Sequence, residues 1–239
     1  MNAWLEEQGW NERAAAYANR IDGLLHAPEQ QHQWSRRLQS MLGEASGLKV
    51  LDIGTGSGFL AVPLTRLGHR VTGLDFSEKM VRIATEKTSS MGLDSVFVRG
   101  RAEKLPFADG EFDAIVSRHL LHYLSNRRLV LEEWLRVLKP GGRIAIWDGD
   151  WMARNIAPYA LMQWTGEKRG PRRAGILKRQ GKIRKADASG LMRDDVTADL
   201  LAAGFRDIQS HERQDEALSG LGKEARLACE RLVIAARKP

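Results

Sequence analysis

The chain has a single cysteine, Cys229, among 239 residues. No disulfide can form within it, and no cysteine-rich metal centre can be built. Long apolar runs are also missing. No stretch approaches the roughly 18 apolar residues of a membrane span. The opening segment MNAWLEEQGWNERAAAY lacks both a basic start and an apolar centre, so no secretory leader is expected and the cytoplasm is the expected location. No internal repeat and no low-complexity tract interrupts the text. Acidic charge is scarce in one place only. Between residues 151 and 190 ten Lys or Arg face just Glu167 and Asp187. The net charge of +7 is therefore the charge of one segment, and the remainder is close to neutral. A patch of this kind attracts anions through a field that salt screens.

What is present is an alternation. LKVLDI (48–53) is apolar on both faces, as a buried parallel strand is. A helix is expected over 58–67, stopped by Gly68, then a strand in HRVTGLD (69–75). Ser77 suits an N-cap, and Met80, Val81, Ile83 and Ala84 give the next helix one apolar face. SVFVRG (95–100) and FDAIVS (112–117) read as strands. Leu131, Trp134, Leu135 and Leu138 recur at helical spacing, KPGG (139–142) breaks that helix, and RIAIWD (143–148) reads as a fifth strand. A helix (194–204), a strand (205–212) and a last strand in ERLVIAARKP complete the pattern. Two helices, 4–23 and 28–41, precede it. Strands and helices alternating through short links give an α/β fold with a mostly parallel sheet covered on both faces. The expected organisation is an N-terminal helical cap (1–45) and one α/β domain (46–239), with 151–190 inserted as a lid.

The first strand runs into VLDIGTGSGFL. Gly54, Gly56 and Gly58 follow Asp52 as D-x-G-x-G-x-G. The dinucleotide fingerprint would need its third glycine at 59, where Phe59 stands, and the G-K-[S/T] of a phosphate loop is absent. Asp75 ends the second strand, where a carboxylate can accept two ribose hydroxyls. The crevice at those strand ends is where open α/β sheets bind ligands.

Four segments in order, VLDIGTGSGFL, VTGLDFSEKM, RAEKLPFADGEFDAIVSRHLLHYL and RVLKPGGRIAIWD, resemble the class I S-adenosylmethionine-dependent methyltransferases, in particular the small-molecule type related to ubiquinone/menaquinone methyltransferases. The resemblance covers roughly residues 45–150. It implies a Rossmann-like seven-stranded sheet of order 3-2-1-4-5-7-6 and S-adenosyl-L-methionine as cofactor. It implies that Gly54, Thr55 and Gly56, in the loop closed by Gly58, line the methionyl part, and that Asp52 helps hold its ammonium group. Asp75 would take the ribose, Phe76 would pack on the adenine, and Ala102 and Glu103 would lie at the adenine edge. Ser117 would pass under the sulfonium, and Tyr17 would belong to a helix folded over the cofactor. One position departs: Arg101 stands where the family usually has an Asp that accepts from the adenine amino group. Arg cannot accept a hydrogen bond, so either Glu103 substitutes or packing and backbone hold the adenine.

Methyl transfer by in-line displacement needs placement, and for some acceptors a base. His119 and His122 follow the fourth strand and are the candidate bases; local hydrogen bonding is the alternative role for either, and no third ligand makes them a metal site. Arg118 could bind a substrate carboxylate or pair with a structural acid, and Tyr123 follows on the same stretch. Trp147, Asp148, Asp150 and Trp151 either line an acceptor pocket or serve as core tryptophans and capping acids. Trp134 reads as core, and Trp4 and Trp10 as anchors of the first helix. The basic segment reads as a solvated lid face, as a guide for an acidic small molecule, or as a contact for RNA or DNA. The expected protein is thus a monomeric or homodimeric small-molecule methyltransferase. The alternatives are an RNA methyltransferase, a non-catalytic cofactor-binding protein and a nicotinamide dehydrogenase.

Overall fold

The computed structural model describes residues 7–25, 28–149, 193–214 and 230–239. The inserted segment 151–190, Trp4, Asp150, Trp151 and Cys229 lie outside them. Two helices come first, α1 (Glu7–Leu25) and α2 (Pro28–Leu42). Then β1 (Lys49–Ile53), α3 (Ala61–Arg66), β2 (Arg70–Asp75), α4 (Glu78–Ser90), β3 (Ser95–Arg99) and β4 (Phe112–Arg118) alternate. A short 3-10 turn, Leu121–Tyr123, leads to α5 (Arg127–Val137), β5 (Leu138–Gly149), α6 (Arg193–Ala203), β6 (Arg206–Gln214) and β7 (Glu230–Arg237).

The strands form one seven-stranded sheet in the order β3-β2-β1-β4-β5-β7-β6. β1 is parallel to β2 and β4, β2 to β3, and β4 to β5, while β7 runs antiparallel to both β5 and β6. Side-chain alternation sorts the core into two layers. Leu51, Ile115, Ile144 and Ile146 face one side, packed with Leu131 and Trp134 of α5 and Val196 and Leu200 of α6. Val50, Ala114, Val116, Ala145 and Trp147 face the other, under Trp34 and Leu38 of α2 and Leu64 of α3. Burying both faces is what the two-sided apolar strands require.

Two boundaries differ from expectation. The helix expected over 58–67 is only Ala61–Arg66, because the preceding residues turn rather than coil; the amide of Gly58 donates to Thr55 O at 3.0 Å. KPGG does end α5, but Leu138, expected on the helix, already pairs with Phe112. The two glycines then bond the chain's end, the Gly141 amide to Lys238 O at 3.0 Å and the Lys238 amide to Gly142 O at 2.9 Å. Ser77 caps α4 as expected, its hydroxyl accepting from the Met80 amide. Among the described residues, no helix is long and apolar enough to cross a membrane, and no cluster of His, Cys, Asp and Glu could hold a metal ion.

Candidate functional site

The parallel strands β1, β2 and β4 end together, and the loop after β1 must turn back over them. Gly54 and Gly56 do so at φ 72° and 55°, a left-handed backbone that side chains rarely adopt. There is also little space, since a Cβ on Gly54 would come within 2.9 Å of the Leu120 side chain. The loop's amides are committed to the protein. Those of Gly54 and Thr55 both donate to Leu74 O, at 2.8 and 3.0 Å, and that of Gly56 donates to Asp75 Oδ2 at 2.9 Å. An anion-binding loop aims such amides at its ligand. Here they point to strand ends and to a carboxylate.

Around this loop lies a cavity of ≈ 150 Å³, lined by Gly54, Gly56, Asp75, Phe76 and Met80 on one side and by Arg118, His119, Leu120 and Tyr123 on another. Arg101, Ala102 and Glu103 close one end, and Trp10 and Tyr17 of α1 form the roof. Asp75 is held by the amides of Gly56 and Ser77, both at 2.9 Å, yet burial pushes its carboxyl up to about 6. Asp52 is 1% exposed and accepts the Thr55 hydroxyl at 2.7 Å; burial pushes it up to about 7, against that hydrogen bond. The neighbouring Asp75 raises it further, and Arg118 opposes. Both groups favour a cation nearby, which would lower their cost of ionising.

Of the residues expected to hold the cofactor, Tyr17, Gly54, Gly56, Asp75, Phe76, Arg101, Ala102 and Glu103 line this cavity. Asp52, Thr55, Gly58 and Ser117 do not. Asp52 lies beneath the loop, and Ser117 is fully buried with its hydroxyl donated to Ile53 O at 2.9 Å. Arg101 lies 5.8 Å over the Phe76 ring and pairs with Glu103 at 3.4 Å, so it extends the aromatic surface rather than offering an acceptor. Ala102 O is turned inward, where Trp134 Nε1–H donates to it at 2.9 Å.

Of the residues expected on the acceptor side, Arg118, His119 and Tyr123 line the cavity. The Arg118 guanidinium stacks 4.0 Å over Phe59 and 5.5 Å over Trp34. Burial, together with the fields of Tyr17 and Asp148, pushes the Tyr123 phenol up, with Arg13 opposing, so Tyr123 stays a neutral donor. His122 does not line the cavity; its Nδ1 lies 2.6 Å from Asp148 Oδ1. Trp147 belongs to the core, edge-on to Trp34 at 5.6 Å, because it shares the α2 side of β5 with Ala145. Trp10, expected as an anchor only, contacts Tyr17 and Tyr123 edge-on at 5.6 and 5.9 Å and faces the cavity. Asn11, its neighbour, was silent in the sequence. Its Oδ1 accepts from the Ser77 hydroxyl at 2.7 Å and from the Lys79 amide at 3.1 Å, which ties α1 to the start of α4. Arg99 adds an ion pair to Glu7, one guanidinium nitrogen donating to both carboxylate oxygens at 2.7 and 2.9 Å.

Residues 51–146 match the family described as methyltransferase domain. The chain is 35% identical over 150 residues to a demethylmenaquinone methyltransferase of Tropheryma whipplei, covering 63% of this chain and 61% of that one. It is 37% identical over 137 residues to a ubiquinone/menaquinone biosynthesis C-methyltransferase of Desulfotalea psychrophila, covering 56% and 54%. It therefore spans about three-fifths or less of the length of these curated relatives. In fold it is similar to an S-adenosylmethionine-dependent methyltransferase from Aquifex aeolicus, with TM-score 0.62, 22% identity, and 93% and 98% of the two chains covered. It is also similar to a methyltransferase from Haloferax volcanii solved with its Trm112 activator, with TM-score 0.65, 19% identity, and 98% of each chain covered.

Proposed function

We propose that the protein, whose residues 51–146 match the family described as methyltransferase domain, transfers a methyl group from S-adenosyl-L-methionine to a small-molecule acceptor. One observation carries the reading. The loop amides that a pyrophosphate would need are bound to Leu74 O and Asp75, while two buried carboxylates stand at the strand ends. That arrangement suits a ligand with hydroxyls and positive charge and repels one with phosphates. The cofactor, when bound, supplies an electrophilic methyl group on a sulfonium.

The chain's own residues place it. Asp75 accepts the ribose hydroxyls. Phe76, extended by Arg101, packs on the adenine, with Ala102 and Glu103 at its edge. Gly54 and Gly56 admit the methionyl part, and Asp52 contributes negative potential through the loop without contact. Trp10 and Tyr17 exclude water from above. On the acceptor side, Arg118 binds an acidic group and Tyr123 donates a hydrogen bond. The relatives are named for demethylmenaquinone and for C-methylation, so a hydroquinone carbon is the first acceptor to try.

Calorimetry with S-adenosylhomocysteine and with NAD separates this reading from a dehydrogenase; the first binds and the second does not. Incubation of metabolite extracts with methyl-labelled cofactor then gives a product heavier by one methylene. Tight NAD binding without S-adenosylhomocysteine binding would overturn the assignment.

A further inference from the structure

The turn His119 to His122, whose first two residues line the cavity, is fastened from one strand. His119 has φ 57°, the left-handed region that non-glycine residues seldom occupy. Its amide donates to Trp147 O at 2.8 Å. The next β5 residue, Asp148, takes His122 twice: Oδ1 lies 2.6 Å from the ring Nδ1, and Oδ2 accepts the backbone amide at 3.4 Å. This pair is sealed, with side-chain exposures of 5% for His122 and 1% for Asp148. Between the two clamps, Leu120 lies against Gly54. The end of β5 thus holds a strained residue in place on the wall of the cavity, and strain that survives is characteristic of functional sites.

We propose that His119 is the proton-accepting residue of the acceptor side, and that Asp148 and His122 are its positioning residues. The assignment rests on the methyl-transfer reading above. His122 is the weaker base candidate on geometry, because its Nδ1 is committed to Asp148 and it does not line the cavity. His119 does line it. The titratable and charged groups sharing that wall are Tyr17 from α1, Asp75 from β2, Arg101, Glu103, Arg118 and Tyr123, with Asp148 behind. In the reaction, the acceptor's electron pair forms the new bond to carbon, and the carbon–sulfur bond breaks with its pair left on sulfur. The proton that leaves the acceptor passes to the His119 imidazole.

Melting of variants tests the clamp without any acceptor. His119→Gly relieves the left-handed strain and His119→Ala keeps it, so the glycine variant should melt higher by about 2–4 °C. In a His122→Ala background that difference should shrink, since the released turn can relax. Histidine-selective NMR tests the positioning. The His119 imidazole should give one sharp resonance in the wild type and in His122→Asn, whose side-chain amide can still donate to Asp148. It should broaden or double in His122→Ala. Saturating S-adenosylhomocysteine should shift it. A glycine variant melting at or below the alanine variant would overturn the proposal. So would His122→Asn behaving like His122→Ala, or S-adenosylhomocysteine binding by calorimetry without moving the His119 resonance. If that ligand fails to bind at all, the methyl-transfer reading falls and the catalytic role of His119 with it. The melting order still decides whether β5 clamps the turn.

Discussion

Carboxylates at the two ends of the sheet live under opposite conditions. Where β1 and β2 finish, Asp52 and Asp75 are buried, held by a hydroxyl and by amides, and pushed up to about 7 and about 6. Where β1, β4 and β5 start, Asp113 meets Lys139 Nζ at 2.5 Å and the Lys49 amide at 2.8 Å; burial pushes it up, and these donors together outweigh burial and hold it below its ordinary value. Close by, Glu133 and Asp109 share Arg136, which also donates to Leu105 O and Phe107 O. One end is organised to be stable and the other to receive something. Buried acids without a full complement of positive charge reduce stability, and they are retained where a ligand supplies what is missing.

The largest effect that sharpens the contrast is at Asp75. Asp75→Ala should weaken S-adenosylhomocysteine binding by ~2–4 kcal/mol, the worth of two charge-assisted hydrogen bonds. Calorimetry reads this directly, and a loss under tenfold would remove the ribose role. Next comes Arg136→Ala at the other end. It strips two carboxylates and two carbonyls of a donor, which should cost about 1.5–3 kcal/mol and lower the melting temperature by roughly 5–10 °C. Ligand affinity should hold within about twofold in that variant; a larger change would mean that the ends are coupled.

A smaller effect has opposite signs at the two ends. The folded pKa of Asp52, about 7, lies above its ordinary 3.8. Its contribution to stability is therefore greatest below pH 3.8 and is lost as pH rises through 7. Asp52→Asn should melt higher than the wild type at pH 8, with the advantage vanishing near pH 4. Asp113 is shifted the other way, so its contribution is present above 3.8 and is lost as pH falls through its folded value. Asp113→Asn should melt lower at pH 7, and its deficit should close in acid. Scanning calorimetry of both variants across pH decides; slopes of the same sign would dissolve the distinction between the ends. The smallest effect is at the adenine edge. Arg101→Asp restores a hydrogen-bond acceptor and should tighten S-adenosylhomocysteine binding by about 0.5–1.5 kcal/mol. A weaker complex would show that the Arg101–Phe76 stack matters more.

The sheet was readable because its strands are buried on both faces and so spell themselves as short apolar runs between breakers. The glycine loop and Asp75 were readable for a similar reason: each belongs to one local segment whose spacing carries the geometry. Trp147 shows where such reading stops. Its place at the end of a strand left pocket and core both open, yet residues alternate along β5, so Trp147 shares a side with Ala145 and lies under α2. Period two alone would have separated it from Asp148. Trp10 and Asn11 had no comparable signal. Their roles depend on how α1 lies across α4 and the strand ends, a tertiary arrangement that helical periodicity does not encode. His119 and His122 were equal candidate bases in the sequence, and the left-handed backbone of His119 before a single 3-10 turn separates them.

Ser77 gives its amide to Asp75 and its hydroxyl to Asn11. The helix overhead and the carboxylate below are thus buttoned to the same residue. The cavity roofed in part by Trp10 and Tyr17 of α1 thus has its roof tied to its wall by this button. Unfastening it strands a serine hydroxyl and deprives the Lys79 amide of its acceptor, and both are restored only when α1 settles again. A lost Asn11 side chain would therefore be felt at the roof of the cavity as well as at the start of α4.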